Sequence, residues 1–355
     1  MTAYDVVIVG AGPAGAAAAI LIARAGLSVL VLERVCFPRE KVCGDCLNPG
    51  AWKIFDRLGV SELVERLPAA KLRWVDFLDM DGRKIRFELP NGSRGERGIR
   101  RKVLDDVLIN HAISAGAEVR FGSPVVKVEE GWKITTDSET VRARFLVAAD
   151  GRNSSVARLL ADFPRTQTDR VALQTHFPIE LEPHVSLQLC RNGYLGLATI
   201  GEGIANLCLV SRPQCIQRFR LEAAGRFGLA PNHRWKSITP LTRSPIRSRR
   251  ANLLYIGDAG RVVEPLTGEG ILYALQSGTL AADAIRTAAA DSSDPILHYS
   301  KRHKEIYRNR LWVNQLARLA VLHPTIANQF MRILKFNPAP LQYLTRKVVT
   351  IPAEG

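Results

Sequence analysis

Apolar residues along this chain fall into three patterns, and each predicts a different element. Continuous runs occur at Tyr4-Asp5-Val6-Val7-Ile8-Val9, Ser28-Val29-Leu30-Val31-Leu32, Phe145-Leu146-Val147-Ala148-Ala149 and Asn252-Leu253-Leu254-Tyr255-Ile256. Such short, β-branched runs with no alternation predict strands of a parallel sheet covered on both faces. Strict alternation marks Val185, Leu187 and Leu189, then Ala205, Leu207 and Leu209, with turns at Asn192-Gly193 and Gly201-Glu202-Gly203 flanking a strand over 194–200. That spacing predicts an antiparallel sheet with one covered face. Residues 74–80 and 84–89 around Asp81-Gly82 predict a hairpin. Shorter strands are predicted over 118–121, 125–129, 132–135 and 141–143.

Helical spacing covers 51–58, stopped by Gly59, and the segment opened by Arg101 with Val103, Leu104, Val107 and Leu108 on one side. It returns over 215–227. After Gly270 a long helix carries a stripe of Ile271, Ala274, Leu275, Gly278 and Ala282, whose small members suit close packing. The remainder reads as helices punctuated by Pro295, Pro324, Pro338 and Pro340. The fold class is therefore α/β (α+β overall), with three separated pieces at 1–72, 98–165 and 250–290 forming one nucleotide-binding domain. Residues 73–97 and 166–249 form a β-sheet substrate domain, and 291–355 form C-terminal helices. The polar stretch Asn91-Gly92-Ser93-Arg94-Gly95 is a loop of the kind that borders sites.

The 355 residues, 46% hydrophobic and 23% charged, are an ordinary globular composition with room for two lobes. No uncharged apolar run reaches the roughly 18 residues that a membrane-spanning helix needs. The first strand begins at Tyr4, which leaves no room for a secretory signal, so the expected setting is the cytoplasm with six reduced cysteines. Net charge is +15, and from Pro295 to Gly355 ten Lys or Arg oppose Glu305 and Glu354. Solvated helix faces are the plain explanation; peripheral contact with anionic lipid at the inner membrane face is the sharper one. No nucleic-acid motif accompanies the charge.

The first run breaks at Gly10-Ala11-Gly12-Pro13-Ala14-Gly15, an alanine-rich helix follows, and the second run ends on Glu33. This is a βαβ unit with G-x-G-x-x-G in its turn. Gly10 makes the tight turn, Gly12 admits a pyrophosphate, Gly15 permits close helix–strand packing, and Glu33 accepts from a ribose. The unit alone does not distinguish NAD from FAD.

Further motifs follow in order: Lys41-Val42-Cys43-Gly44-Asp45, Arg101-x-x-Leu104-Asp105, Asp150-Gly151-x-x-Ser154, Gly257-Asp258-Ala259 and Pro265-Leu266-Thr267-Gly268-Glu269-Gly270-Ile271, with Ser277-Gly278 beyond. Together they resemble the flavoprotein hydroxylase superfamily of p-hydroxybenzoate hydroxylase, and within it the geranylgeranyl reductase-like branch. The likeness runs from residue 4 to about 285 and implies FAD, held by a Rossmann-like domain. It implies that Gly10, Gly12, Pro13, Ala14 and Gly15 hold the pyrophosphate, with Glu33 and Arg34 toward the adenosine. Arg101 would reach the phosphates or the ribityl chain, Val126 would join the cofactor wall, and Asp150-Gly151 would serve the pyrophosphate and NAD(P)H, the expected electron donor. Gly257 and Asp258 would bind ribityl or ribose hydroxyls. Pro265 and the backbone N–H groups of Gly268 to Ile271, Gly270 among them, would face the N1–O2 edge of the isoalloxazine, where reduced flavin carries negative charge.

The same resemblance sets Lys41, Cys43 and Gly44 beside the ring on the substrate side. Cys43-Gly44-Asp45-Cys46 lacks the second cysteine pair of a structural zinc site, so no metal is expected, and Cys46 is read as packing. Tyr194 either faces the substrate or packs the sheet. The branch's Trp-x-Phe-Pro segment is missing, its place taken by 193–199, and the halogenase Trp-x-Trp-x-Ile-Pro signature is also absent. The first functional reading is therefore an NAD(P)H-dependent monooxygenase that hydroxylates a lipophilic phenol, quinol or polyketide through a flavin C4a-hydroperoxide. The second is an isoprenoid reductase with Cys43 as an acid. The third is a flavin-binding, membrane-associated protein without turnover.

Overall fold

The structure is a computed structural model that describes residues 2–90, 94–166, 169–308 and 310–349. The loop expected at Asn91-Gly92-Ser93 lies outside the described residues.

The continuous apolar runs form the heart of a seven-stranded sheet. Ala3–Val9 lies between Val29–Leu32 and Thr140–Ala148, all parallel, with Glu118–Arg120 beyond the second strand. Thr140–Ala148 corrects the expectation of two strands at 141–143 and 145–149. Its first residues pair antiparallel with Lys133–Thr136, and its last pair parallel with Leu253–Tyr255. Arg144 does not interrupt it, because the guanidinium leaves the sheet to lie over the Phe145 ring and donate to the Ala288 carbonyl at 3.2 Å.

The alanine-rich helix Pro13–Arg24 and the long helix Gly270–Asp291 pack on this sheet and on each other. They meet where Gly278 has no side chain; a Cβ there would overlap the carbonyl oxygen of Ala14. Ile271, Leu275, Gly278 and Ala282 are buried as the stripe predicts.

The second sheet runs Lys236–Ile238, Val171–Pro178, Ile204–Ser211, Gly193–Thr199, His184–Cys190, Trp74–Leu78, Lys84–Glu88. It departs from the expected antiparallel sheet in two ways. His184–Cys190 and Trp74–Leu78 pair in parallel, and the central strands are covered on both faces. Ile216–Arg226 covers one face through Phe219 and Ala223 against Leu173, Phe177 and Leu207; the other face turns toward the first domain. Val171–Pro178 escapes the alternation pattern because both its faces are mixed: Thr175 is buried between Leu173 and Phe177, and Gln174 and His176 share the other face with Ala172.

Four helices, Pro295–Tyr307, Leu311–Leu322, Pro324–Leu334 and Ala339–Val349, close the chain, the first and third opened by proline at a position where no N–H is needed. Among the described residues no helix is long and apolar enough to cross a membrane.

Candidate functional site

A cavity of about 460 Å³ lies between the two sheets, within the range of small-molecule sites. One end is built on the glycine turn. Gly10 sits at φ 105°, where an L side chain is strained, and a Cβ would come within 2.6 Å of the Ala149 oxygen. Gly12 begins the helix without any side-chain cap, leaving first-turn N–H groups free to point at an anion; Pro13 and Ala14 line the same wall. Gly15 does not reach the cavity. It lets the helix pass the turn, since a Cβ would overlap the Gly10 oxygen. Buried Glu33 lines the cavity and also braces the turn, accepting from the N–H groups of Ala11 at 2.9 Å and Val35 at 3.2 Å.

Cations crowd this end. Arg34, Arg39, Lys41, Arg101 and Arg152 all line it. Arg101 chelates Asp105 through two bonds of 2.8 Å, Arg39 shares that carboxylate at 3.3 Å, and Arg152 pairs with Asp258 at 3.1 Å. Lys41 lies here too, about 3.8 Å from where a Gly151 Cβ would stand, and not on the substrate side that the resemblance gave it. Burial, then the neighbouring Arg101 and Arg39, push its ammonium down to about 8. Asp150 accepts from the Val156 N–H at 3.0 Å through one oxygen; the other is buried without a partner, and burial raises the carboxyl. Clustered cationic donors, open helix donors and an orphaned carboxylate oxygen are what the diphosphate and hydroxyls of FAD would satisfy. The residues fit the cofactor.

The middle of the cavity is framed by Gly257, whose N–H donates to Ser277 at 2.8 Å, and by the turn Pro265–Thr267. Of the expected ring-facing donors, the Gly268 N–H is excluded: it closes the turn on the Pro265 carbonyl at 3.0 Å. Gly270 and Ile271 open the 22-residue helix, where N–H groups lack helical acceptors, and both line the cavity. The loop is braced from behind. Glu269, fully buried, receives Arg310 at 2.6 Å and Asn314 at 3.2 Å, and Glu264 pairs with buried Arg170 at 2.8 Å.

The far end is walled by Val185, Leu187, Leu197, Ala198, Ile238 and Leu241. Tyr194 does both things open to it, lining the cavity and packing with Ala172, Val210 and Leu241. Cys43 and Gly44 line the cavity between the two ends, the Cys43 thiol against Arg101. The Cys43 carbonyl accepts from Asn206 Nδ2 at 2.8 Å, which ties the loop to the sheet. Cys46, read as packing, also lines the cavity, 3.9 Å from where a Gly268 Cβ would lie. Burial pushes both thiols up. Asp45, fully buried, takes bonds from His176 at 2.6 Å and Gln174 at 3.2 Å.

Glu96 faces the same space, and burial raises its carboxyl to about 7. Sequence reasoning missed it, as it missed Asn206 and Cys208, because no motif contains them, and it missed Arg152 because that residue fills a variable position of Asp150-Gly151-x-x-Ser154. The only signal for Glu96 was the polar loop directly before it. Val126 falls outside: it is 47% exposed, and Val125, on the opposite face of that strand, lines the cavity instead.

Fold and site together define an FAD-dependent oxidoreductase. The chain belongs to the FAD binding domain family, whose model matches residues 3–198. It is 31% identical over 340 residues to menaquinone reductase of Mycolicibacterium smegmatis, covering 84% of this chain and 82% of that one. It is 27% identical over 336 residues, 85% of each chain, to digeranylgeranylglycerophospholipid reductase 1 of Methanopyrus kandleri. The flavin-dependent brominase Bmp2 shares the fold, with a TM-score of 0.79 at 22% identity over 98% of this chain and 93% of that one.

Proposed function

We propose that this enzyme reduces a carbon–carbon double bond in a polyprenyl chain, with NAD(P)H as the electron donor. The observation that carries the proposal is an aliphatic wall in the same cavity as a carboxyl, Glu96, held in its protonated form. FAD, when bound and reduced, supplies the hydride. Saturating an alkene then needs one proton at the other carbon. Glu96, neutral up to about pH 7, is suited to give it, whereas burial makes the Cys43 and Cys46 thiols weaker acids than a free thiol. The aliphatic wall excludes water and holds the chain. Lipid names among the relatives support the same substrate class.

This reverses the order of the two readings made from sequence. Hydroxylation of a phenol stays as the second reading, favoured by Glu96 alone, whose conjugate base above pH 7 could take a phenolic proton. The experiment is anaerobic incubation of the reduced holoenzyme with a geranylgeranyl lipid, followed by mass spectrometry. A gain of hydrogen pairs with reoxidation of the flavin is expected. An unchanged lipid, together with oxygen-dependent insertion of oxygen into a lipophilic phenol, would overturn the proposal in favour of the second reading.

A further inference from the structure

Two of the last four helices turn an apolar row to solvent, and one of them, Pro324–Leu334, is inside out. An amphipathic surface helix ordinarily buries its apolar stripe and turns its polar face to water. In Pro324–Leu334 the apolar residues Ile326, Phe330 and Ile333 recur at the i, i+4, i+7 spacing of one helix face, and they are 55%, 61% and 64% exposed. The side chain this helix buries is polar: Asn328, whose Oδ1 accepts from the Met80 N–H at 2.7 Å. Leu311–Leu322 exposes a similar row, Trp312, Leu316 and Leu319 at the same spacing, although it buries Val313 and Val321 together with Asn314, which points inward to Glu269. Phe336, between the third and fourth helices, is 90% exposed, and Tyr343 stands out from the fourth. Nine of the sixteen exposed large apolar side chains among the described residues lie in this segment, including every exposed Phe, Tyr and Trp among them. A concentration of that kind in one segment of consecutive helices marks an interaction site.

The charge that these helices themselves carry beyond Arg310 has one sign. From Leu311 to Val349 there is no Asp or Glu and there are five Lys or Arg. Arg318 and Arg332 are spent on Asp169 at 2.6 Å and Asp81 at 2.8 Å, which dock the helices on the body of the protein. Lys335, Arg346 and Lys347 have no ion pair among the described residues, and Lys347 lies over the Tyr343 ring. Exposed aliphatic and aromatic side chains flanked by unpaired cations match the boundary between acyl chains and anionic headgroups.

We propose that this face seats the enzyme on an anionic phospholipid bilayer. The alternative occupant, a second copy of the chain across a two-fold axis, would set the same cationic face against itself and bury like charges together. The bilayer supplies the negative charge that a second copy lacks. The inference goes beyond the proposed reaction and does not depend on it. The two are spatially linked all the same: Val321, on the inner side of Leu311–Leu322, packs with Tyr194, Val210 and Leu241 of the cavity wall.

The test uses the flavin-loaded full chain in sedimentation with vesicles of equimolar phosphatidylglycerol and phosphatidylcholine, against vesicles of phosphatidylcholine alone. Binding is expected to the first and to weaken with added salt. Replacing Phe330→Ser, Ile333→Ser and Phe336→Ser together should lower the partition coefficient by at least about tenfold while leaving the flavin spectrum intact. Should that variant fail to fold, Lys335→Gln, Arg346→Gln and Lys347→Gln together decide the matter, with the same direction expected through the headgroup charge. Three results would overturn the proposal: no sedimentation with the anionic vesicles, equal binding of the folded variant, or a dimer in solution that the variant converts to monomer, which would assign the face to a second copy.

Discussion

At one end of the cavity the wall is main chain and guanidinium; at the other it is aliphatic side chain. Gly10, Gly12 and the opening of the first helix present backbone groups, and Arg39, Lys41, Arg101 and Arg152 present fixed charge. Val185, Leu187, Leu197 and Leu241 present only shape, relieved by Tyr194, Glu96 and a few thiols. A cofactor's diphosphate is the same in every member of a fold family, so a backbone cradle for it serves them all. A variable apolar substrate is matched by side chains that can change one at a time without disturbing the sheet that carries them.

The largest effect should come from attacking the backbone cradle. Gly10→Val adds a branched side chain at φ 105°, within 2.6 Å of main chain. It is expected to yield protein with no flavin absorbance after purification, or no folded protein at all; retention of normal flavin content would show that the turn is not what makes the cradle. Next is the brace between the ends. Arg310→Met leaves fully buried Glu269 without its cation and should cost about 3–5 kcal/mol of stability, read as a fall in denaturation midpoint. Adding Glu269→Leu should recover most of that loss, whereas an equally unstable double variant would show that the pair's charge is not the cause.

The smallest of the three effects sharpens the view of the apolar end. Glu96→Gln should keep flavin and fold yet lower turnover by roughly a hundredfold, and remove the decline in rate as pH rises through about 7. The sign follows from the carboxyl's shift from 4.5 to about 7: the fold favours the neutral acid, so its contribution to stability is complete below about 4.5 and is lost as pH rises through about 7. The variant should therefore melt less pH-dependently between those values. An unchanged pH–rate profile would remove Glu96 from proton transfer.

The same contrast explains what could be read before the fold was known. Glycines at a turn and a helix start carry meaning in sequence because backbone geometry forces them, and Gly10, Gly12, Gly15 and Glu33 all stand where the βαβ unit requires. The apolar end carried no such compulsion. Glu96 acquires its role only when the loop holding it folds over Cys46 and the sheet. Val171–Pro178 hid its period because Thr175 interrupts its apolar face and Ala172 stands on the face of Gln174 and His176, which bond an internal carboxylate. Val126 went astray by one residue, which in a strand reverses the face. Gly268 lies in the right loop, but the 3₁₀ turn consumes its N–H, a detail of hydrogen bonding that no motif encodes.

The contact of Arg310 and Asn314 with Glu269 also has a consequence in time. The loop that frames the middle of the cavity is held by residues from the last fraction of the chain, and Arg310 is in turn linked to the carbonyl of Val348. While the chain is being synthesised, the glycine cradle can fold early, but Glu269 has no cation to meet until the C-terminal helices leave the ribosome. The cofactor site is therefore finished last and from behind. Flavin captured during synthesis would rest on half a site, and firm retention would begin only once the chain is complete.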